Sequence, residues 1–208
     1  MKIFYLLLFS LITSGCASIT TVDVKLEKAS ITKKDTIFMH GSLPWNYNNE
    51  SYNPNETKEY IQLDISSKKE LYHHFVKDWN RILQTRCNVS CKKCNASSDI
   101  AAFGPFYKNI NILDINNSKP HIEKNEDGMF HYSIYTYRNL KSNEHYTHGQ
   151  KIPEISQGNF DSLSCYVIGV TKAPVIFPRS NNFSITGKEF NKIYLKYKSE
   201  KKNNIPNK

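Results

Sequence analysis

The sequence predicts an α+β fold built mainly from antiparallel β-sheet, with about seven strands that could form a sandwich and one main amphipathic helix near residues 68–85. Most segments alternate apolar and polar residues with a period of two, which is typical of strands that bury one face. Strand and helix patterns do not alternate along the chain, as a doubly wound parallel sheet would require. The length of 208 residues predicts one folded domain.

The first eighteen residues have the pattern of an export signal. Lys2 supplies a positive charge, and residues 3–12 (IFYLLLFSLI) form an apolar run. The run has the ~7–15 residues of a secretory signal, whereas a membrane-spanning helix needs ~20. Ser14 and Gly15 then leave room for a peptidase just before Cys16. The segment ITSGCAS resembles the lipobox of bacterial lipoproteins; an ordinary cleaved signal beside an incidental cysteine is the alternative.

The resemblance covers residues 1–18 and implies a lipid anchor. Cleavage after Gly15 would leave Cys16 with a diacylglycerol thioether and an acylated amine. Residues 1–15 would be the cleaved signal, 16–20 a lipidated N-terminus with a short tether, 21–197 the globular domain, and 198–208 a basic disordered tail. Lipoproteins that stay in the inner membrane tend to have Asp after the cysteine. Because Ala17 stands there, the resemblance implies the outer membrane, with the domain facing the periplasm.

Strand patterns occupy seven segments of the mature chain. Apolar and polar residues alternate in 22–26, 61–65 and 130–134, as expected of half-buried strands. Aromatic and β-branched residues are frequent in 36–40, 107–113, 163–170 and 190–197, which favours strands there as well.

One segment has the period of a helix. Ser67-Lys68-Lys69-Glu70 matches a capping box, in which the serine oxygen accepts from a backbone N–H and the glutamate reaches back to the cap. Apolar residues between Leu71 and Leu83 then share one broad helical face. We expect this face to pack on the sheet of the same domain; a groove for a partner is the alternative.

Four cysteines remain beside Cys16, namely Cys87, Cys91, Cys94 and Cys165. An even number in an exported protein predicts two disulfides. Three pairings are possible, and each contains one local bond and one long-range bond to Cys165. Two alternatives stay open. The Cys91-x-x-Cys94 spacing occurs in thiol oxidoreductases, and four thiolates can hold zinc, although export favours oxidation.

Charge and one aromatic loop indicate the kind of partner. The net charge is +9, which at a membrane favours anionic headgroups, acidic glycans or an acidic protein, and we expect no nucleic acid in that compartment. The segment 42–57 carries Trp45, Tyr47 and Tyr52 among asparagines. Flat apolar rings beside amides suit stacking on sugars or contact with a protein. These three residues form a candidate recognition loop.

The sequence contains no active-site motif, neither Gly-x-Ser-x-Gly, His-Glu-x-x-His nor a phosphate-binding glycine loop. We therefore expect no cofactor and no metal, and favour a non-catalytic interaction or assembly component of the cell envelope. Its partners would be the bilayer, through acylated Cys16, and an envelope protein or anionic glycan. A glycan- or peptidoglycan-binding module or hydrolase is the alternative, because catalytic groups from distant strands leave no motif.

Overall fold

A computed structural model describes residues 17–35, 57–76, 82–92, 96–100, 102–107, 124–137, 160–170 and 176–203. In chain order these residues form β1 (Ala17–Val22), β2 (Val24–Asp35), β3 (Thr57–Ser67), α1 (Leu71–Val76), β4 (Ile82–Cys91), β5 (Ala96–Ile100), β6 (Ala102–Tyr107), β7 (Phe130–Tyr137), β8 (Ser162–Val170), β9 (Ile176–Ser180), β10 (Phe183–Thr186) and α2 (Gly187–Asn203). Strands predominate, and within this part of the chain every strand pairing is antiparallel except that of β1 with β9. The predicted α+β class, mainly antiparallel, is confirmed.

The strands form two sheets. Sheet A has the order β1-β9-β8-β4-β5, with β10 also paired to β8, and sheet B has the order β2-β3-β7-β6. Only Asp23 separates β1 from β2. One extended segment therefore runs along sheet A as β1 and continues into sheet B as β2.

The two sheets share one hydrophobic core. Sheet B contributes the buried residues Ile61, Leu63, Ile65 and Ile134, and sheet A contributes Val89, Leu163 and Val167. These positions are spaced by two along their strands, as expected when each strand turns one face inward. The described sheets are therefore layers of a sandwich-like arrangement.

A disulfide between Cys87 and Cys165 lies in this core. The two residues stand opposite each other on β4 and β8, with their Cα atoms 4.1 Å apart, and both side chains are buried. The bond joins positions 78 residues apart, so the predicted long-range bond to Cys165 is confirmed. Cys91 is also disulfide-bonded. Cys94 lies outside the described residues.

The helix predicted near residues 68–85 is confirmed in part. α1 covers Leu71–Val76, residues 77–81 lie outside the described part, and the prediction is wrong for residues 82–85, which belong to β4. There, registered pairing with β8 from Ile82 onward overrides the local helical period, because cross-strand side-chain pairs stabilise the extended conformation. The predicted capping box also differs, since the Glu70 carboxylate caps the helix by accepting from the N–H groups of Tyr72 (2.9 Å) and His73.

The longer described helix, α2, lies where we predicted a strand over 190–197 and a disordered tail over 198–208. The strand prediction is wrong, and residues 198–203 are helical; residues 204–208 lie outside the described part.

Thr186 and Glu189 form a capping box at the start of α2, in which Thr186 Oγ1 accepts from the Glu189 N–H (3.2 Å) and Glu189 Oε2 accepts from the Thr186 N–H (2.8 Å). The latter bond lowers the pKa of the Glu189 carboxyl. Phe190, Ile193, Tyr194 and Tyr197 pack on the core at helical spacing.

Asn181 ties the segment that crosses between the sheets to the corner between β9 and β10. Its backbone N–H donates to Val22 O (3.1 Å). Its side-chain amide accepts from the Val24 N–H (2.6 Å) and donates to Val24 O (3.0 Å). The amide therefore takes the place of a neighbouring strand backbone where the chain leaves sheet A and enters sheet B.

We expect Asn181→Ala to lower the free energy of unfolding by about 1–3 kcal/mol, because both backbone groups of buried Val24 would lose a partner. Urea denaturation followed by circular dichroism measures the change. The matched control is Asn182→Ala at the exposed neighbouring position, for which we expect about 0.5 kcal/mol or less. Equal effects of the two substitutions would contradict the bridging role.

Removing the long-range disulfide in Cys87→Ala/Cys165→Ala should lower the free energy of unfolding by about 3–5 kcal/mol, since a long loop is released in the unfolded chain. The control is Ser90→Ala/Ser162→Ala, which removes a hydrogen-bonded pair (2.9 Å) from the same two strands, with an expected cost of about 1 kcal/mol. Denaturant titration of both variants provides the comparison. A loss no larger than that of the control would show that the disulfide contributes little.

Candidate interaction surface

Most of the predicted site residues lie outside the described residues. This holds for the proposed lipid-attachment residue Cys16, for Cys94, and for the candidate recognition loop with Trp45, Tyr47 and Tyr52. The other predicted site residues, Cys87, Cys91 and Cys165, are all disulfide-bonded. Their role in the described fold is structural.

Residues 17–20, which the sequence analysis assigns to a short tether after Cys16, belong to β1, where Ala17 stands opposite Ile176 of β9. A segment with backbone pairing from its first residue is held in the sheet.

The outer face of sheet A carries a row of four residues from four adjacent strands. Cys87 and Cys165 point into the core, so their chain neighbours Arg86 and Tyr166, which stand opposite each other, point outward. Arg179 of β9 continues the row on the diagonal, since it stands opposite Thr20 of β1 and opposite the buried Ile168 of β8, two residues beyond Tyr166. We call Arg86, Tyr166, Arg179 and Thr20 the arginine–tyrosine row.

Tyr166 lies between the two arginines of this row. The Arg179 guanidinium stacks over the Tyr166 ring at 4.9 Å from its centroid, a cation–π contact that orients both groups. Arg179 Nε is buried and has no hydrogen-bond partner among the described residues. Arg86 is exposed. Across the described ranges neither arginine forms an ion pair, so the row presents two permanent positive charges beside an aromatic ring.

Small polar side chains surround the row on the same face. Asn88 donates to Asp99 Oδ1 (3.1 Å) and accepts from Ser97 Oγ (3.0 Å), and the Ser90 and Ser162 hydroxyls are hydrogen-bonded at 2.9 Å. The result is a hydrogen-bonding surface, which includes the Asp99 carboxylate, next to the two guanidinium groups. Such groups can hold a carboxylate or phosphate through two parallel hydrogen bonds.

Sheet B carries serine, histidine and aspartate side chains in an arrangement that does not support nucleophilic catalysis. Ser133 Oγ donates to Asp64 Oδ1 at 2.7 Å, and both residues are buried. The His131 ring instead pairs with Asp127 at 2.8 Å. In a serine triad the hydroxyl donates to an imidazole that acts as the general base, whereas the Ser133 hydroxyl donates to the buried Asp64 carboxylate.

A second carboxylate, Glu70, accepts from the hydroxyls of Tyr107 and Tyr132. Burial is the main cause that raises the pKa of the Tyr107 hydroxyl, and its hydrogen bond to Glu70 raises that pKa further. Burial also raises the pKa of the Tyr132 hydroxyl. Both phenols therefore stay protonated as donors. Tyr132 also accepts from the Leu71 N–H (2.8 Å), so this cluster attaches the start of α1 to sheet B.

A shallow cavity of about 300 Å³ lies where β2 begins and β3 ends, lined by Asp23, Val24, Lys25, Ser66, Lys68 and Met129. Its walls carry charges of both signs, and Lys25 is paired with Glu27 at 3.2 Å. Because both signs are present, the cavity does not favour a ligand of either charge, whereas the arginine–tyrosine row favours an anion.

The described residues contain neither a metal-binding cluster nor a membrane-spanning helix. No group of three or more histidine, cysteine, aspartate or glutamate side chains in the described ranges could hold a metal ion. Of the helices that the structure describes, none is long and apolar enough to cross a membrane.

Sequence reasoning missed the arginine–tyrosine row. Arg86 and Tyr166 each sit beside a cysteine, and the alternation around those cysteines was visible in the sequence. The signal that could have found the row was the disulfide pairing, because Cys87 opposite Cys165 places Arg86 opposite Tyr166. With three pairings possible from the sequence, that step could not be taken.

The chain matches none of the protein-family models, curated proteins or solved structures with which it was compared.

Proposed function

We propose that this protein is a membrane-anchored bacterial lipoprotein that acts as a non-catalytic interaction component of the cell envelope, and that the arginine–tyrosine row contacts an anionic partner. The observation that carries the proposal is the pair of arginines around Tyr166, the exposed Arg86 and the half-buried Arg179, which have no acidic partner among the described residues. Unneutralised arginines on a flat face favour binding of carboxylate or phosphate groups.

The anchor is supported by the N-terminal pattern of Lys2, an apolar run and small residues before Cys16. The disulfide of the core supports export, because such bonds persist in oxidising compartments. Several acyl chains on one residue would hold the domain at a membrane far more firmly than one chain does.

A non-catalytic role is supported by the side-chain pairs of sheet B. Ser133 is committed to Asp64 and His131 to Asp127, so the serine is not activated by the imidazole. Binding of a glycan is a second candidate role, because the Tyr166 ring and the neighbouring serine and asparagine side chains resemble the mixture that suits sugar rings.

We expect the native chain, expressed from its own locus, to be found in the membrane fraction with the mass of Cys16 carrying acyl chains. Cys16→Ser should release it from that fraction, since the thioether can no longer form. Intact-mass spectrometry and membrane fractionation provide the measurement. A soluble native chain with an unmodified thiol at Cys16 would rule out the anchor.

The role of the surface is tested by cross-linking in the same cells. Arg86→Gln/Arg179→Gln should reduce the partner adducts of the anchored protein, whereas Lys196→Gln/Lys198→Gln, which removes two exposed charges from α2, should not. Adducts with glycan fragments would favour the glycan-binding role. Equal adducts in both variants would exclude the row as the contact surface.

A further inference from the structure

The described fold leaves almost no chain between the proposed anchor and sheet A. Pairing begins at Ala17, and consecutive Cα atoms are only about 3.8 Å apart. This inference rests on the proposed function, because it takes Cys16 to be the lipidated residue. Acyl chains on Cys16 would then hold the N-terminal end of β1 directly at the lipid surface.

The arginine–tyrosine row lies close to that end of the sheet. Thr20 is four residues beyond Cys16, and a strand rises about 3.3 Å per residue, so Thr20 lies within about 13 Å of the anchor. Arg179 stands opposite Thr20 on the neighbouring strand, about 4.8 Å away. The polar region of one leaflet is about 5–7 Å thick, and charges act over about 8 Å at physiological salt. The row is therefore within electrostatic range of the headgroups.

The chemistry of the row fits lipid phosphates. The guanidinium fork matches phosphate oxygens, and Arg86 is exposed and has no ion pair among the described residues. Tyrosine is enriched at membrane–water interfaces, and Tyr166 stacks beneath Arg179.

We infer that the arginine–tyrosine row docks on the phosphates of lipid headgroups in the leaflet that holds Cys16. The outer face of sheet A then lies against the membrane. The anchor supplies attachment, and the row sets the orientation of the domain. Surfaces on sheet B would face away from the bilayer toward other envelope components.

The test places a photoreactive side chain in the row of the mature lipoprotein. Tyr166→p-benzoylphenylalanine is purified with its acyl chains, verified by mass, and reconstituted in vesicles of phosphatidylcholine alone or of phosphatidylcholine with phosphatidylglycerol. After irradiation, mass spectrometry measures lipid adducts. The control is Tyr72→p-benzoylphenylalanine on α1, at a tyrosine with an exposed fraction of 48%.

We expect adducts at position 166 to increase several-fold when phosphatidylglycerol is present, and adducts at position 72 to stay unchanged. Adding Arg86→Gln/Arg179→Gln should return position 166 to its level in phosphatidylcholine. Arg86→Lys/Arg179→Lys, which keeps the charge and loses the fork, should give an intermediate yield. Circular dichroism verifies that each variant is folded.

The outcomes separate this inference from the proposed function. A lipidated protein whose position 166 reacts equally in both vesicles overturns the headgroup contact and leaves the anchor intact. The same holds if irradiation of intact cells yields a protein or glycan adduct at position 166 in place of a lipid adduct. An unmodified Cys16 in the native chain overturns the proposed function and this inference together.

Discussion

The pairing of β4 with β8 is the constraint on which the rest of the described structure depends. Its register places Cys87 opposite Cys165 and joins them covalently in the core. Because side chains alternate across a strand, that register decides which neighbouring residues of β4 and β8 point into the core and which point to the outer face. Val89 and Val167 enter the core, while Arg86 and Tyr166 meet on the outer face. A slip of one residue would bury the arginine and expose the cysteines.

The second structural element that holds the layers together is the segment shared by the two sheets. β1 pairs with β9 in sheet A, and β2 pairs with β3 in sheet B, with only Asp23 between them. Asn181 bridges this point through the backbone groups of Val22 and Val24. The position of β1 is thereby coupled to both layers of the sandwich.

These features together suggest a division of roles between the faces. The outer face of sheet A combines two arginines with a stacked tyrosine near the N-terminal end of β1. Sheet B carries carboxylates that already have hydrogen-bond donors, as in the pair of Asp64 and Ser133. Groups satisfied by one another contribute to stability and are not available to a ligand. Surface cations without an ion pair among the described residues, as in the arginine–tyrosine row, are available to an anionic ligand.

The sequence by itself determined the fold class and several strands, because alternation at 61–65 and 130–134 reports burial locally. It also indicated an export signal and a long-range disulfide to Cys165. It misassigned residues 82–85, where cross-strand pairing overrides helical period, and 190–197, where the capping box of Thr186 and Glu189 was overlooked. Only the tertiary structure decided the strand order, the bond between Cys87 and Cys165, and the meeting of Arg86, Tyr166 and Arg179. Those depend on contacts between residues that are distant in sequence, 78 positions apart for the disulfide, which local periodicity does not encode.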